Sequence, residues 1–340
     1  MPRQKQTMVC FVSCLLLAVL YVYMINNCDV SRTYQQIFIA VETPDYRSKY
    51  YLALQTLRCY VNRTGYELVV IHMWDNTLVQ GHCSRYKLFY FQRHCAAALY
   101  LQSTDWLVFL DADTAVVNPN RRVEEFIDPK FDLIFTERFW NCEIAGGNYI
   151  AKNTPFARKF LLDYADYEFL DPQPKGFDNA ALQLHILRTI VPEAKLEIDV
   201  CLKLWRNATE ADNDSYKPYL SCFRATKGAR LEWDLVKIYR RAHGFALDRS
   251  ITNNTVCEKL FMFHIVKGND SDSDPLFTHT PNGSDCESGA VWPYAPNRWV
   301  SCRRIKRIIQ TNEYAFSWMP VGRHYDYANY SDVGRCWPNC

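Results

Sequence analysis

Trp106-Leu107-Val108-Phe109-Leu110 runs straight into Asp111-Ala112-Asp113. Turn-prone residues, Gln102-Ser103-Thr104-Asp105, precede the five apolar ones, and nothing polar interrupts the run. A run of this kind fits a parallel-sheet strand buried on both faces. Ligands of open α/β sheets bind beyond the carboxyl ends of the strands, which is where the two acids fall. A carboxylate pair there can hold a hard divalent cation, and such a cation can neutralise a diphosphate. The bland alternative is that the acids form a helix N-cap or a solvated turn.

The flanking sequence alternates between strand and helix. Residues 36–41 read as a first strand, and Thr43-Pro44 offers an N-cap and a first-turn proline. A helix is expected from there to about Cys59, then a strand over 67–71, which makes a parallel crossover unit. Leu88, Phe91, Cys95 and Ala98 recur at helical spacing, predicting one long helix over 84–101. Further strand character lies at 132–136. Thr154-Pro155 should cap a helix, and Asp178 should open another through about Leu187. Beyond about residue 270 the chain turns irregular and rich in Cys, Trp and Pro. Cys286, Cys302, Cys336 and Cys340 are expected to staple it, and residues 303–309 read as a short basic amphipathic helix with a solvated face.

The N-terminal sequence suggests a compartment. Arg3 and Lys5 precede Met8 to Ile25, 18 uncharged and mostly apolar residues. That is long enough for a membrane span, with the basic side cytosolic. A retained type II signal-anchor is expected; a cleaved signal peptide is the competing reading. The expected organisation is a cytosolic tail (1–7), a membrane segment (8–25), a short stem (26–34), one large domain (35–270) and a C-terminal extension (271–340). Of 14 cysteines, Cys10 and Cys14 fall in the apolar run, leaving an even number to pair. Sequons at Asn62, Asn207, Asn213, Asn253, Asn269, Asn282 and Asn329 also fit the secretory pathway. A net charge of only +2 implies no nucleic-acid partner.

Four blocks together resemble a family. They are the strand with Asp111-Ala112-Asp113 through Asn118-Pro119, the stretch from Gly146 to Arg158, Gly176-Phe177-Asp178-Asn179, and His264 with Lys267-Gly268. Over residues 35–270 the chain resembles nucleotide-sugar glycosyltransferases of the GT-A fold. The likeness is nearest to a nematode family known only as a domain of unknown function. It extends distantly to the galactosyl- and mannosyltransferases of glycosyltransferase family 34. Gly147 and Asn153 match that family's pattern, and Ala145 stands where it has Asn.

The resemblance implies a Rossmann-like mixed sheet with helices on both faces, plus the disulfide-rich extension. It implies Mn²⁺ held by Asp111, Asp113 and His264, with Asp111 also near the ribose. Lys267, Arg93 and Lys87 would face the diphosphate or donor sugar, Gly147 would line the donor site, and Asp178 would border the sugar's reactive face. For His264 the competing reading is a satisfied core histidine, for Asp178 an N-cap, and for Arg93 and Lys87 ordinary helix-surface charge. The implied activity is a Golgi type II hexosyltransferase. Its donor would be a UDP-hexose, UDP-galactose favoured, its acceptor a glycan, and its outcome retention. The other reading is a GT-A domain without turnover that binds glycans or a partner. A two-carboxylate hydrolase fits poorly, since acids one residue apart do not flank a sugar. The chain holds 22 Tyr, 19 Phe and 9 Trp; these could be core or platforms for sugar rings.

Overall fold

The computed structural model describes residues 35–41, 49–141, 143–170, 177–209, 213–267, 274–317 and 333–339. The expected tail, membrane segment and stem, the Thr43-Pro44 cap, Gly176, Gly268 and Cys340 lie outside them. Among the described residues no helix is long and apolar enough to cross a membrane.

In chain order the elements are β1 (Gln35–Val41), α1 (Tyr51–Thr64), β2 (Glu67–His72), α2 (Thr77–His82), α3 (Phe89–Tyr100), β3 (Trp106–Leu110), β4 (Ala115–Val116), β5 (Leu133–Thr136) and β6 (Asn148–Lys152). Then come α4 (Pro155–Ala165), α5 (Phe177–Ile190), α6 (Lys195–Arg206), α7 (Lys217–Lys227), β7 (Val236–Tyr239), β8 (Ala246–Asp248), β9 (Met262–His264) and α8 (Cys302–Ser317). The main sheet has the order β2-β1-β3-β6-β5-β7, and a small sheet has the order β4-β9-β8. β1 runs parallel to β2 and β3, while β6 runs antiparallel to both β3 and β5.

Strand side chains alternate between faces, so each central strand feeds two cores. On β3, Trp106, Val108 and Leu110 join Leu52, Leu57 and Tyr60 of α1. Leu107 and Phe109 join Phe91 of α3, Phe160 of α4 and Leu184 of α5 on the other face. All five β3 residues are buried, as the unbroken apolar run requires. The expected mixed sheet with helices on both faces is therefore the fold observed.

Two helix boundaries differ from the sequence expectation. α1 continues past Cys59 because Tyr60 extends its buried face; it closes at Gly65, whose φ of +77° is the left-handed conformation glycine adopts freely. The helix expected over 84–101 begins only at Phe89 as α3, and the separate short helix α2 lies wholly before that span. Leu88 is extended, the Glu168 carboxylate accepts the N–H groups of Lys87 (2.6 Å) and Leu88 (3.2 Å), and a disulfide joins Cys83 to Cys95. α4 starts as expected, with the Thr154 hydroxyl accepting the Ala157 N–H at 3.1 Å and Pro155 following the cap.

The C-terminal stretch packs on the same core. Leu276, Trp292, Ile305, Ile309, Val333 and Trp337 share a cluster with β1 and β3 residues. Disulfides Cys59–Cys286 and Cys257–Cys302 tie it to α1 and to the segment before β9. α8 extends well beyond the expected 303–309, and its Arg303, Arg304 and Arg307 are exposed.

Candidate metal centre

The strand registers explain how residues 111, 147 and 264 meet. Leu110 pairs with Asn148 across the antiparallel β3–β6 ladder, so Gly147 stands beside Asp111. A Cβ on Gly147 would lie 1.7 Å from Asp111 Oδ2; the carboxylate fills the space a side chain would need. Asn148 accepts the Thr114 hydroxyl at 2.9 Å and the Asp111 N–H at 3.4 Å, which fixes the turn carrying both acids.

Just past Asp113 the chain enters β4, which pairs Ala115 with Phe263 and Val116 with Met262. The Val266 N–H then donates to the Asp113 carbonyl at 2.8 Å. His264 is thereby brought against the acids. Between these two anchors Ile265 holds φ +67°. For a β-branched residue that conformation costs on the order of 1–3 kcal/mol and persists only where its surroundings enforce it.

His264 Nε2 lies 3.2 Å from Asp111 Oδ2 and 3.3 Å from Asp113 Oδ1. One ligand atom from each of the three lies within 4.8 Å of the others. The parallel β8–β9 register sets Asp248 opposite His264, and Nδ1 donates to Asp248 Oδ1 at 2.9 Å. Tying Nδ1 in this way aims Nε2 at the acids. Burial acts to lower the His264 pKa, but the surrounding carboxylates outweigh it and hold it well above its ordinary value. Without a metal the carboxylates of Asp111, Asp113 and Asp248 therefore favour the charged form of the imidazole. Arg138 supports Asp248 at 3.3 Å and also pairs with buried Glu143 at 3.6 Å.

A buried network lies behind Asp111. The Arg93 guanidinium bonds Asp111 Oδ1 through Nη1, and Asp178 Oδ2 through Nη2 and Nε, the last at 3.2 Å. Asp178 is 1 % exposed. It also accepts from His94 Nε2 at 3.2 Å and from the Asn179 N–H at 2.9 Å. Burial brings His94 down to about 4, so it is neutral near pH 7, and its Nδ1 accepts the Tyr149 hydroxyl at 3.3 Å. Burial opposes ionisation of both acids, yet Arg93, with His94 for Asp178 and His264 for Asp111, keeps each below the usual carboxylate range.

Residues 57–278 match the family model described as "Protein of unknown function, DUF273". The chain belongs to that family. The matched span of this DUF273 protein contains every residue of the cluster and of the network behind it. No curated protein matches the sequence. Similar solved structures include a glycosyltransferase involved in the glycosylation of the major capsid of PBCV-1. It has 16 % identity and a TM-score of 0.34, over 45 % of this chain and 76 % of that one. The apo-form glycosyltransferase GlyE of Streptococcus pneumoniae TIGR4 has 13 % identity and a TM-score of 0.34, over 46 % of this chain and 44 % of that one. A197 from STIV has 16 % identity and a TM-score of 0.24, over 37 % of this chain and 66 % of that one.

The DUF273 fold brings Asp111, Asp113, His264, Gly147, Arg93 and Lys267 together. Lys267 is largely exposed, with Nζ 3.6 Å from Asp113 Oδ2. Among the described residues Asp178 reaches the cluster through Arg93. The Lys87 ammonium donates instead to the Ser84 carbonyl at 2.6 Å. Ala145 lines a small cavity with Arg138, Asn148, Asp248 and His264. Two carboxylates and one oriented imidazole suit a divalent cation such as Mn²⁺. Cys257, Glu258 and Cys302 also lie close together, but both cysteines are in a disulfide and offer no thiolate.

Sequence reasoning missed Asp248, Arg138, His94 and Asn148. Asp248 had a signal: Phe245-Ala246-Leu247-Asp248 is another apolar run ending in an acid. The other three act through partners remote in sequence and had none.

Proposed function

We propose that this DUF273 protein is a metal-dependent glycosyltransferase that moves a hexose from a nucleotide-sugar, UDP-galactose favoured, to a glycan acceptor with retention. The observation that carries the reading is the cluster of Asp111, Asp113 and His264 beyond the carboxyl end of β3, with His264 Nε2 aimed at both acids. The resemblance of the surrounding motifs to GT-A enzymes supports the donor class and retention.

A bound Mn²⁺ would supply positive charge to offset the negative charge growing on the diphosphate leaving group. Asp111, Asp113 and His264 would hold it, and Arg93 fixes the Asp111 carboxylate through its Oδ1. Asp248 keeps His264 in the ligating orientation. Lys267 stands at the open side of Asp113, where a flexible ammonium serves the phosphates as a point charge. Asp178 holds Arg93 against Asp111, a positioning role. We assign the protein to the Golgi membrane as a single-pass type II protein with this domain luminal. Four disulfides among the described cysteines suit an oxidising lumen.

The test is Mn²⁺-dependent turnover of a UDP-hexose panel by the full chain and by Asp113→Ala. Turnover by the natural chain and its loss in the variant are expected. Residual activity within about tenfold, a barrier change of only about 1.4 kcal/mol, would sink the metal assignment. Binding of UDP and Mn²⁺ without turnover of any sugar would favour a binding module instead.

A further inference from the structure

We propose that Tyr90 and Phe177 form a stacking subsite for one sugar ring of the acceptor glycan, beside the metal centre. The proposal deepens the transferase reading and rests on it. Tyr90 precedes Arg93 by three residues in the first turns of α3, and Phe177 immediately precedes Asp178. The two rings lie 5.1 Å apart with planes 21° from parallel. They remain 42 % and 40 % exposed, so their contact with each other does not cover them. Phe177 holds φ +42°, a left-handed conformation that costs an L-residue roughly 1–2 kcal/mol. The backbone accepts that strain while the ring stands in solvent next to Tyr90.

Their position relative to Asp111 decides the occupant. Asp111 Oδ2 faces His264, on the side of Asp113 and Lys267, where the proposed function seats the diphosphate. Asp111 Oδ1 faces Arg93, whose guanidinium carbon is 5.9 Å from the Tyr90 ring centre. The aromatic pair therefore lies on the Arg93 side of Asp111, one guanidinium from the carboxylate. Arg93 itself is buried, so a sugar ring of the acceptor would meet the exposed pair at the surface beside it and not the guanidinium. A pyranose has a face of C–H groups and a rim of hydroxyls. An aromatic face is the negative pole of the ring quadrupole, so it attracts those C–H groups while the hydroxyls stay in water. Nearby Phe169 is also exposed, but Arg85 already sits 4.8 Å over its ring and Tyr86 stacks on it at 5.5 Å. It packs with Arg85 and Tyr86 and has no contact with Arg93, so it is not part of the subsite.

The experiment uses the full chain in detergent on a printed array of N- and O-glycan oligosaccharides, with calorimetry of UDP and Mn²⁺ in parallel. The natural chain should capture a subset of the printed glycans. Tyr90→Ala and Phe177→Ala should each weaken that capture by about tenfold or more. Tyr90→Trp and Phe177→Tyr should retain it, and thermal midpoints should stay unchanged because both rings are surface groups. UDP–Mn²⁺ affinity should be the same in all five proteins. Alanine variants that capture glycans like the natural chain overturn the subsite, as does a natural chain that captures none. If glycans are captured through Tyr90 and Phe177 while UDP–Mn²⁺ does not bind, the transferase reading fails and the stacking subsite stands.

Discussion

Gly147→Ala should disable the metal centre through one methyl group. The added Cβ would sit 1.7 Å from Asp111 Oδ2 and 2.2 Å from its Cγ. To reach even a close 3.0 Å contact, the carboxylate must retreat by about 1.3 Å. The backbone does not object, since Gly147 is not among the positive-φ residues; the effect is steric. That retreat breaks the 3.2 Å approach of Oδ2 to His264 Nε2 and moves Oδ1 on Arg93. Misplacing a reacting group by about 1 Å costs roughly 100-fold, or about 2.7 kcal/mol of barrier. We expect a loss of that size in kcat/KM and a 10- to 100-fold weaker Mn²⁺ affinity by calorimetry. Overpacking would also lower stability by about 1–3 kcal/mol. Gly146→Ala is the control: the nearest atoms to its Cβ would be the Tyr164 hydroxyl at 2.5 Å and Asn179 Oδ1 at 3.2 Å, and not those of Asp111. It should lower the melting temperature and leave Mn²⁺ affinity within about threefold. A folded Gly147→Ala protein with natural Mn²⁺ affinity would refute the geometry argued for Asp111.

His264 supplies a test in pH. Its folded pKa stands above the ordinary 6.5 without metal, so its stabilising charge is fully present below pH 6.5 and is lost as pH rises through the folded value. The metal-free melting temperature should therefore decline on the alkaline side of 6.5, and His264→Ala should remove that decline; a variant with the same pH profile contradicts the assignment. Mn²⁺ must displace the same proton, so its affinity should climb about tenfold per pH unit below the folded pKa, and a flat profile would exclude His264 as a ligand. Expressed in animal cells, the chain should lose mass on N-glycanase treatment and resist carbonate extraction. Absence of the mass shift would put the domain in the cytosol and end the Golgi reading.

The core of this fold was legible at Trp106–Leu110, because a strand buried on both faces must be apolar at every position and little else produces such a run. The acids after it were legible for a related reason: charges directly beyond a buried strand stand where the sheet ends. Asp248 repeats that signature more faintly at the end of β8 and went unread. The late start of α3 at Phe89 was not legible, since the 3.6-residue pattern runs back through Leu88. What interrupts it is a Glu168 carboxylate some 80 residues away, bonding the Lys87 and Leu88 N–H groups.

By itself, then, the sequence determined the residue chemistry and the strand–helix alternation. Both are local properties, set by side-chain polarity and its period along the chain. Only the tertiary structure decided which groups share the site. His264 meets Asp113 because β9 pairs with β4, and Gly147 meets Asp111 because β6 runs antiparallel to β3. It also decided that Asp178 lies buried beneath Arg93 and that Lys87 turns to Ser84. Pairing register and burial arise from contacts between segments far apart in the chain, and no local pattern of polarity encodes them.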